Sequence, residues 1–221
     1  MAKHLERQID ILKQKILFVG TLVEEAIAKA ISALTNRDRN LARQVIDEDS
    51  EIDRMEVDVE EEVLKILALY QPVAADLRFV VAVLKINNDL ERMGDLARNI
   101  AKRVVFLTNG EKIDLPSDLR PMAVKAQQMV KESLDALVNT DALLARRVRD
   151  ADDDVDSMRR KVQDFVEREI AAHPQHTELL MRLLSVSRHL ERLADLATNV
   201  AEDVIYMVEG EIVRHRATEP L

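Results

Sequence analysis

Leu90-Glu91-Arg92-Met93-Gly94-Asp95-Leu96-Ala97-Arg98-Asn99-Ile100-Ala101 returns as Leu190-Glu191-Arg192-Leu193-Ala194-Asp195-Leu196-Ala197-Thr198-Asn199-Val200-Ala201, 100 residues later. Leu90, Met93, Leu96, Ala97, Ile100 and Val104 recur three and four apart, which is the spacing of one helix face. Self-similarity at a fixed offset is the mark of an internal duplication. The match runs on at the same offset to Asn109-Gly110-Glu111 and Glu209-Gly210-Glu211. Upstream it resumes at an offset of 103, where Leu41-Ala42-Arg43, Asp47, Asp49, Asp53 and Met55 meet Leu144-Ala145-Arg146, Asp150, Asp152, Asp156 and Met158. The three-residue difference falls near Pro72 and Pro174.

The segments between these anchors also read as helices. Ile9, Leu12, Ile16, Val19, Val23, Ala26 and Ala30 form a narrow apolar seam, and Ile52, Met55, Val59, Val63 and Ile66 form a second. Thr35-Asn36-Arg37-Asp38 reads as the turn between them, with Asp38 as N-cap. Pro72 breaks the second helix, and a third runs from about Ala74 to Thr108, with Asn109-Gly110 as its C-terminal stop. Glu111 to Pro121 carries two prolines and no apolar period. A fourth helix spans roughly Met122 to Val138, Asn139-Thr140-Asp141 is a second turn, and a fifth helix carries Val148, Ala151, Val155, Met158, Val162 and Phe165 to the break at His173-Pro174. A sixth runs from about Thr177 to Glu209 and stops at Gly210. The expected fold is all-α: two tandem, homologous three-helix bundles, six long helices packed side by side. The first repeat is placed at 1–112, the linker at 113–121 and the second repeat at 122–221.

Composition agrees. Aromatics are 3% of the 221 residues and Trp is absent, while hydrophobic residues reach 47%, so the core must be aliphatic. Four Gly and five Pro are too few for the turns of a β-sandwich. The absence of Cys excludes disulfides and thiolate metal sites. A net charge of −9 disfavours nucleic acid and anionic membrane as direct partners. Charges recur too closely at the N-terminus for a signal peptide, and the expectation is a cytoplasmic protein.

Glu91 and Asp95, and likewise Glu191 and Asp195, lie four apart and share a helix face. At about 100° per residue, Asn88, Glu91, Asp95 and Asn99 form a stripe opposite the apolar one. A solvated helix face explains one such stripe. It does not explain why the acids and Asn recur at the same places in the second repeat. Asp49 with Asp53, and Asp152 with Asp156, flank the seam of the preceding helix and border a helix–helix groove. The bland reading for these is acidic residues favoured near a helix N-terminus. Two helices offering two carboxylates each suit a hard cation such as Mg, Mn, Fe or Ca. Zinc favours nitrogen or sulfur ligands. No inward Glu-x-x-His pair, Gly-rich phosphate loop or serine elbow is present, so no catalytic site is expected and the chain is read as a non-enzyme.

Asn88 to Ala101 closely resembles the signature helix of the PhoU family. Leu190 to Tyr206 resembles its C-terminal counterpart, and Gln71-Pro72-Val73-Ala74-Ala75-Asp76-Leu77-Arg78 resembles the loop into the third helix. The resemblance covers essentially the whole chain. It implies multinuclear metal clusters on the bundle surface, iron first, with Mn, Mg or Zn as alternatives. By motif match Glu91, Asp95, Glu191 and Asp195 carry over as ligands, and Asp49, Asp53, Asp152 and Asp156 follow less directly. It further implies a negative regulator of the phosphate-starvation response and modulator of high-affinity uptake. Such a regulator links the ATPase subunit of the phosphate ABC transporter to the phosphate-sensing histidine kinase. A homodimer is implied, peripheral to the inner membrane only through protein partners. The second repeat lacks a counterpart of Gln71 to Arg78. The competing reading is a generic helical scaffold without phosphate signalling.

Overall fold

The computed structural model describes residues 2–109, 111, 113–211 and 213. Their order is α1 (Ala2–Asn36), α2 (Arg39–Tyr70), α3 (Ala74–Leu107), α4 (Leu119–Asn139), α5 (Ala142–Asp150), α6 (Asp152–Ala172), a 3-10 turn (Pro174–His176) and α7 (Thr177–Glu209). No strand occurs among the described residues.

The duplication is visible in the turns. Arg37 and Thr140 both take left-handed φ, of 53° and 50°. The next residue in each case is the N-cap. One Asp38 carboxylate oxygen accepts from the amides of Asn40 and Leu41 at 2.9 and 3.0 Å, and Asp141 accepts from Leu143 and Leu144 at 2.9 Å each. Two amides that no helical carbonyl can reach are thereby satisfied at each start. The expected stop at Gly210 also stands, with φ 76°.

Two expectations change, the start of the fourth helix and the continuity of the fifth; the end of the third and the unequal loops agree with the sequence. The third helix stops at Leu107, with the Thr108 amide bonded to the Val104 carbonyl at 2.9 Å, and the Gly110 stop lies outside the described residues. The fourth helix starts at Leu119, so residues 119–121 belong to α4 and not to a 113–121 linker. Pro121 is tolerated because its missing N–H falls in the first turn. The expected fifth helix is interrupted: α5 ends at Asp150 and α6 begins at Asp152, with the Ala151 amide shared between the Arg147 and Val148 carbonyls at 3.2 Å each. The loops before α3 and α7 differ, an open Gln71–Val73 turn in one and the 3-10 turn in the other, as the unequal sequences imply.

The core is aliphatic throughout. Leu12, Ile16, Val19, Val23, Val59, Val63, Ile66, Leu90, Met93 and Ile100 are fully or almost fully buried, and so are Val148, Val155, Val162, Leu190 and Leu193. Each large aliphatic side chain so buried contributes about 1.5–3 kcal/mol. On α1 Ile27 takes the buried place and Ala26 is half-buried. Helices α1, α2 and α3 form one bundle, and α4, α5–α6 and α7 the other. The bundles join chiefly along α3 and α7, with α1 against α4 beside them. At that second contact Gly20 leaves room for Leu134, whose Cδ2 would stand 3.1 Å from an added Cβ.

Helices α3 and α7 run antiparallel and meet as equivalents. Lys85 of α3 reaches Asp203 of α7 at 3.3 Å. The positions 100 residues on and back, Ser185 and Arg103, meet at 3.2 Å. The seam therefore lies on a local two-fold axis relating the repeats.

Candidate metal centre: two carboxylate clusters

The spacing of α2 from α3 is set by a missing side chain. A Cβ on Gly94 would lie 3.0 Å from Cδ1 and 3.2 Å from Cγ2 of Ile52. Gly94 sits between Glu91 and Asp95, and Ile52 between Asp49 and Asp53. The close approach thus brings the two acidic pairs face to face.

In the first repeat Asp49 is 6% exposed, in the helix–helix groove where its flanking position pointed. Arg98 bridges it to Asp95, one guanidinium nitrogen to each carboxylate. Burial raises the Asp49 pKa, Arg98 pulls it back, and Asp53 and Asp95 push it up again. Glu91 is also raised, first by burial and then by Asp95, Asp53 and Glu56. Glu56 is raised by burial and by Glu60 and Asp53. The first cluster is thus Asp49, Asp53, Glu56, Glu91 and Asp95 around one arginine. Glu56 has no acidic equivalent in the second repeat, where Arg159 stands, so the duplication carries no signal for it.

The second cluster has the same four acids and a different cation. Arg98 is replaced by Thr198, whose buried Oγ1 has no hydrogen-bond partner. The counter-charge comes instead from α6, where Arg159 Nε lies 2.9 Å from Glu191 Oε1. Arg159 stands where the first repeat has Glu56, and the matched positions alone gave no signal for it. Among the described residues Asp152 forms no ion pair, and its pKa rises from 3.8 to about 6. Burial is the largest cause, followed by Asp195, Asp156, Asp153 and Glu191. Asp195 is raised by burial and Asp156 against a pull from Arg192. Glu191 is raised by burial, with Arg159 and, more weakly, Arg188 opposing and Asp156 and Asp195 adding. The break at Ala151 contributes here, since it starts a fresh helix whose first turn is Asp152, Asp153 and Asp154.

All eight sequence-derived acids therefore fall in two clusters, four in each. Glu91 and Asp95 do not point cleanly into solvent as the stripe implied; both are half-buried against α2. The donor chemistry fits a hard cation: oxygen ligands only, in excess of local positive charge, with pKa values raised because the anions crowd one another. The partnerless Thr198 hydroxyl adds an oxygen at the second cluster. Among the described residues no three acidic or histidine side chains converge on one point, so closing on an ion requires rotation of these carboxylates. Asp95 and Asp195 open onto one groove across the α3–α7 seam, between Arg92 and Arg192. Both clusters are thus reached from the same face.

His189 is half-buried on the seam. Its Nε2 lies 3.3 Å from Ser185 Oγ and its Nδ1 is buried without a partner. Burial, Arg103 and Arg192 push its pKa down to about 4, so the ring is neutral at physiological pH.

Fold and site together define a class: a duplicated three-helix-bundle protein with an acidic cluster per repeat. Comparison with known proteins gives the family. The PhoU domain matches twice, over residues 16–104 and 119–204. A phosphate-specific transport system accessory protein PhoU homolog of Aquifex aeolicus is 39% identical over 96% of both chains. A Thermotoga maritima homolog is 34% identical over 94% of this chain and 90% of that one. The crystal structure of PhoU from Pseudomonas aeruginosa superposes with a TM-score of 0.90 at 35% identity, covering 93% of this chain and 99% of the other. That of the phosphate transport system regulatory protein PhoU from Streptococcus pneumoniae gives 0.83 at 29% identity, over 95% and 99%. The chain belongs to the PhoU family.

Proposed function

We propose that this protein is a non-enzymatic negative regulator of the phosphate-starvation response and a modulator of high-affinity phosphate uptake. It acts as an adaptor between the ATPase subunit of the phosphate ABC transporter and the phosphate-sensing histidine kinase. The observation that carries this reading is end-to-end similarity, in sequence and in three dimensions, to proteins named as accessory and regulatory components of phosphate transport. The structure is compatible with an adaptor. Long rigid helices leave wide faces for partner helices, and among the described residues no helix is long and apolar enough to cross a membrane. Transmitting a signal requires different affinities for two states of a partner.

Metal ions belong to the same proposal. Asp49, Asp53, Glu91 and Asp95 would hold one centre, and Asp152, Asp156, Glu191 and Asp195 the other, with iron the first candidate. When bound, the ions would neutralise the crowded carboxylates and tie α2 to α3 and α6 to α7. A homodimer in the cytoplasm, at the membrane only through the transporter, completes the reading.

The test is alkaline phosphatase reporter activity in excess phosphate in a strain lacking this protein. High activity, returned to low by the intact gene, is the expected result. Activity that stays low without the protein would remove the regulatory reading and leave a helical scaffold.

A further inference from the structure

The two ends of the α3–α7 seam are related by the repeat but carry opposite chemistry. At one end every cation has an acid at hand. Lys85 pairs with Asp203, which is 2% exposed, Arg149 lies 3.4 Å from Glu202, and Arg92 lies 3.9 Å from Asp89. At the other end each of those seam acids is replaced. Asp203 becomes Arg103, Glu202 becomes Lys102, Asp89 becomes His189, and the neutral Asn88 becomes Arg188. Lys102, Arg103, Arg188 and Arg192 thus gather on two adjoining helices, and none of them forms an ion pair among the described residues. Glu191 and Asp195 are the nearest acids along α7; both crowd against Asp156 of α6, and Arg188 acts on Glu191 and Arg192 on Asp195 from beyond ion-pair distance.

The hydrogen bonds at this end are compatible with a ligand. Arg103 spends only Nε, on Ser185 Oγ at 3.2 Å, which leaves both terminal nitrogens. Ser185 Oγ lies in turn 3.3 Å from His189 Nε2. Arg192 and Asn99 line the adjoining groove, together with Arg92 and the carboxylates of Asp95 and Asp195. Among the described residues only Glu191 and Asp195 act on these four cations, through Arg188 and Arg192, so this end keeps a surplus of positive charge that an anion from solution offsets. Three guanidinium forks from two helices present more donors than the two oxygens of one carboxylate can accept. A tetrahedral oxyanion has the oxygens to take them.

We propose that the Arg103 end of the α3–α7 seam is a binding site for a phosphate-type oxyanion, held by Arg103, Arg188 and Arg192 with Lys102, Asn99 and Ser185. The anion is either free orthophosphate or a terminal phosphoryl group of a phosphoanhydride. The site stands on charge and geometry in this chain and does not depend on the regulatory reading above.

The test is calorimetric titration of the full-length protein with inorganic phosphate and with pyrophosphate, at constant ionic strength with EDTA present so that no bound metal contributes. Saturable binding of one anion per chain is expected. It should weaken at least about tenfold in Arg103→Gln/Arg192→Gln and persist in Arg160→Gln, an exposed arginine on α6. Equal affinity for the two anions assigns the site to orthophosphate, and tighter pyrophosphate binding assigns it to a phosphoanhydride. The arginine Nε–Hε resonances of the unmodified protein give a second readout if the double variant folds poorly. The site is refuted if neither anion binds saturably or moves those resonances. It is equally refuted if the double variant binds normally, or if Arg160→Gln loses as much as the double variant. The reporter experiment can succeed or fail independently of all these outcomes.

Discussion

Asp152→Asn should stabilise the metal-free protein at neutral pH and weaken the metal-loaded one. The Asp152 carboxyl moves from 3.8 to about 6 on folding, with burial and four neighbouring acids as the cause. At about 1.4 kcal/mol per pH unit this corresponds to roughly 3 kcal/mol against the ionised form. The side chain is partly open to water, and screening reduces the figure to about 1–2 kcal/mol. Loss of a charge from the first turn of α6 gives back about 0.3–1 kcal/mol. The net gain at pH 7.5 is then about 1 kcal/mol, a rise of about 2–4 °C in Tm for a chain of this size. Because the folded value lies above the unfolded one, the penalty is complete above about pH 6 and is relieved as the pH falls towards 3.8. The advantage of Asn should therefore shrink to about a third by pH 4.5. Urea denaturation of both proteins in EDTA, at pH 7.5 and 4.5, measures this directly. Added Mn²⁺ should reverse the order, since an ion bound only to the folded state stabilises in proportion to its affinity, and the variant has lost a ligand. A variant less stable than the parent at pH 7.5 in EDTA, or one whose difference ignores pH, would refute the electrostatic account of the cluster.

Arg98→Met removes the guanidinium that bridges buried Asp49 to Asp95. It should cost about 2–4 kcal/mol in EDTA, with much of the loss recovered on adding Mn²⁺, as read from denaturation midpoints. Gly94→Val places branched carbon where Ile52 already stands within 3.0–3.2 Å. It should cost at least about 2 kcal/mol and halve the metal bound per chain, measured by elemental analysis, because only the first cluster depends on that approach.

What the sequence conveyed and what it withheld divide along physical lines. The paired turns were legible because Asp38 and Asp141 act through their own local amides, and local hydrogen bonding leaves a local signal. The eight acids were legible because they repeat at fixed offsets. The break at Ala151 was not read, because neither Gly nor Pro marks it. Its only trace is Asp152-Asp153-Asp154, a triplet that favours the start of a helix over its middle. The counter-cations were half legible. Arg98 lies one turn from Asp95 on the same helix, so that pair is written in local spacing. Arg159 comes from a different helix at an unmatched position, and only packing brings it to Glu191. The opposite charges at the two ends of the seam depend on which residues of α3 meet which of α7, and that antiparallel register is a tertiary fact.

That register also bears on how such a chain can change over time. Two identical three-helix units facing each other across the same axis would have to show every residue twice. An arginine at position 103 would then meet the residue of position 85 at both ends, and Lys85 would be set against it. Joining the units in one polypeptide lifts that restriction. Lys85 can keep Asp203 at one end while Arg103 faces Ser185 at the other, so a substitution at one end need not be matched at its mirror position. A duplicated, fused chain can in this way hold its eight acids constant and specialise its two ends separately, which separate identical subunits cannot do.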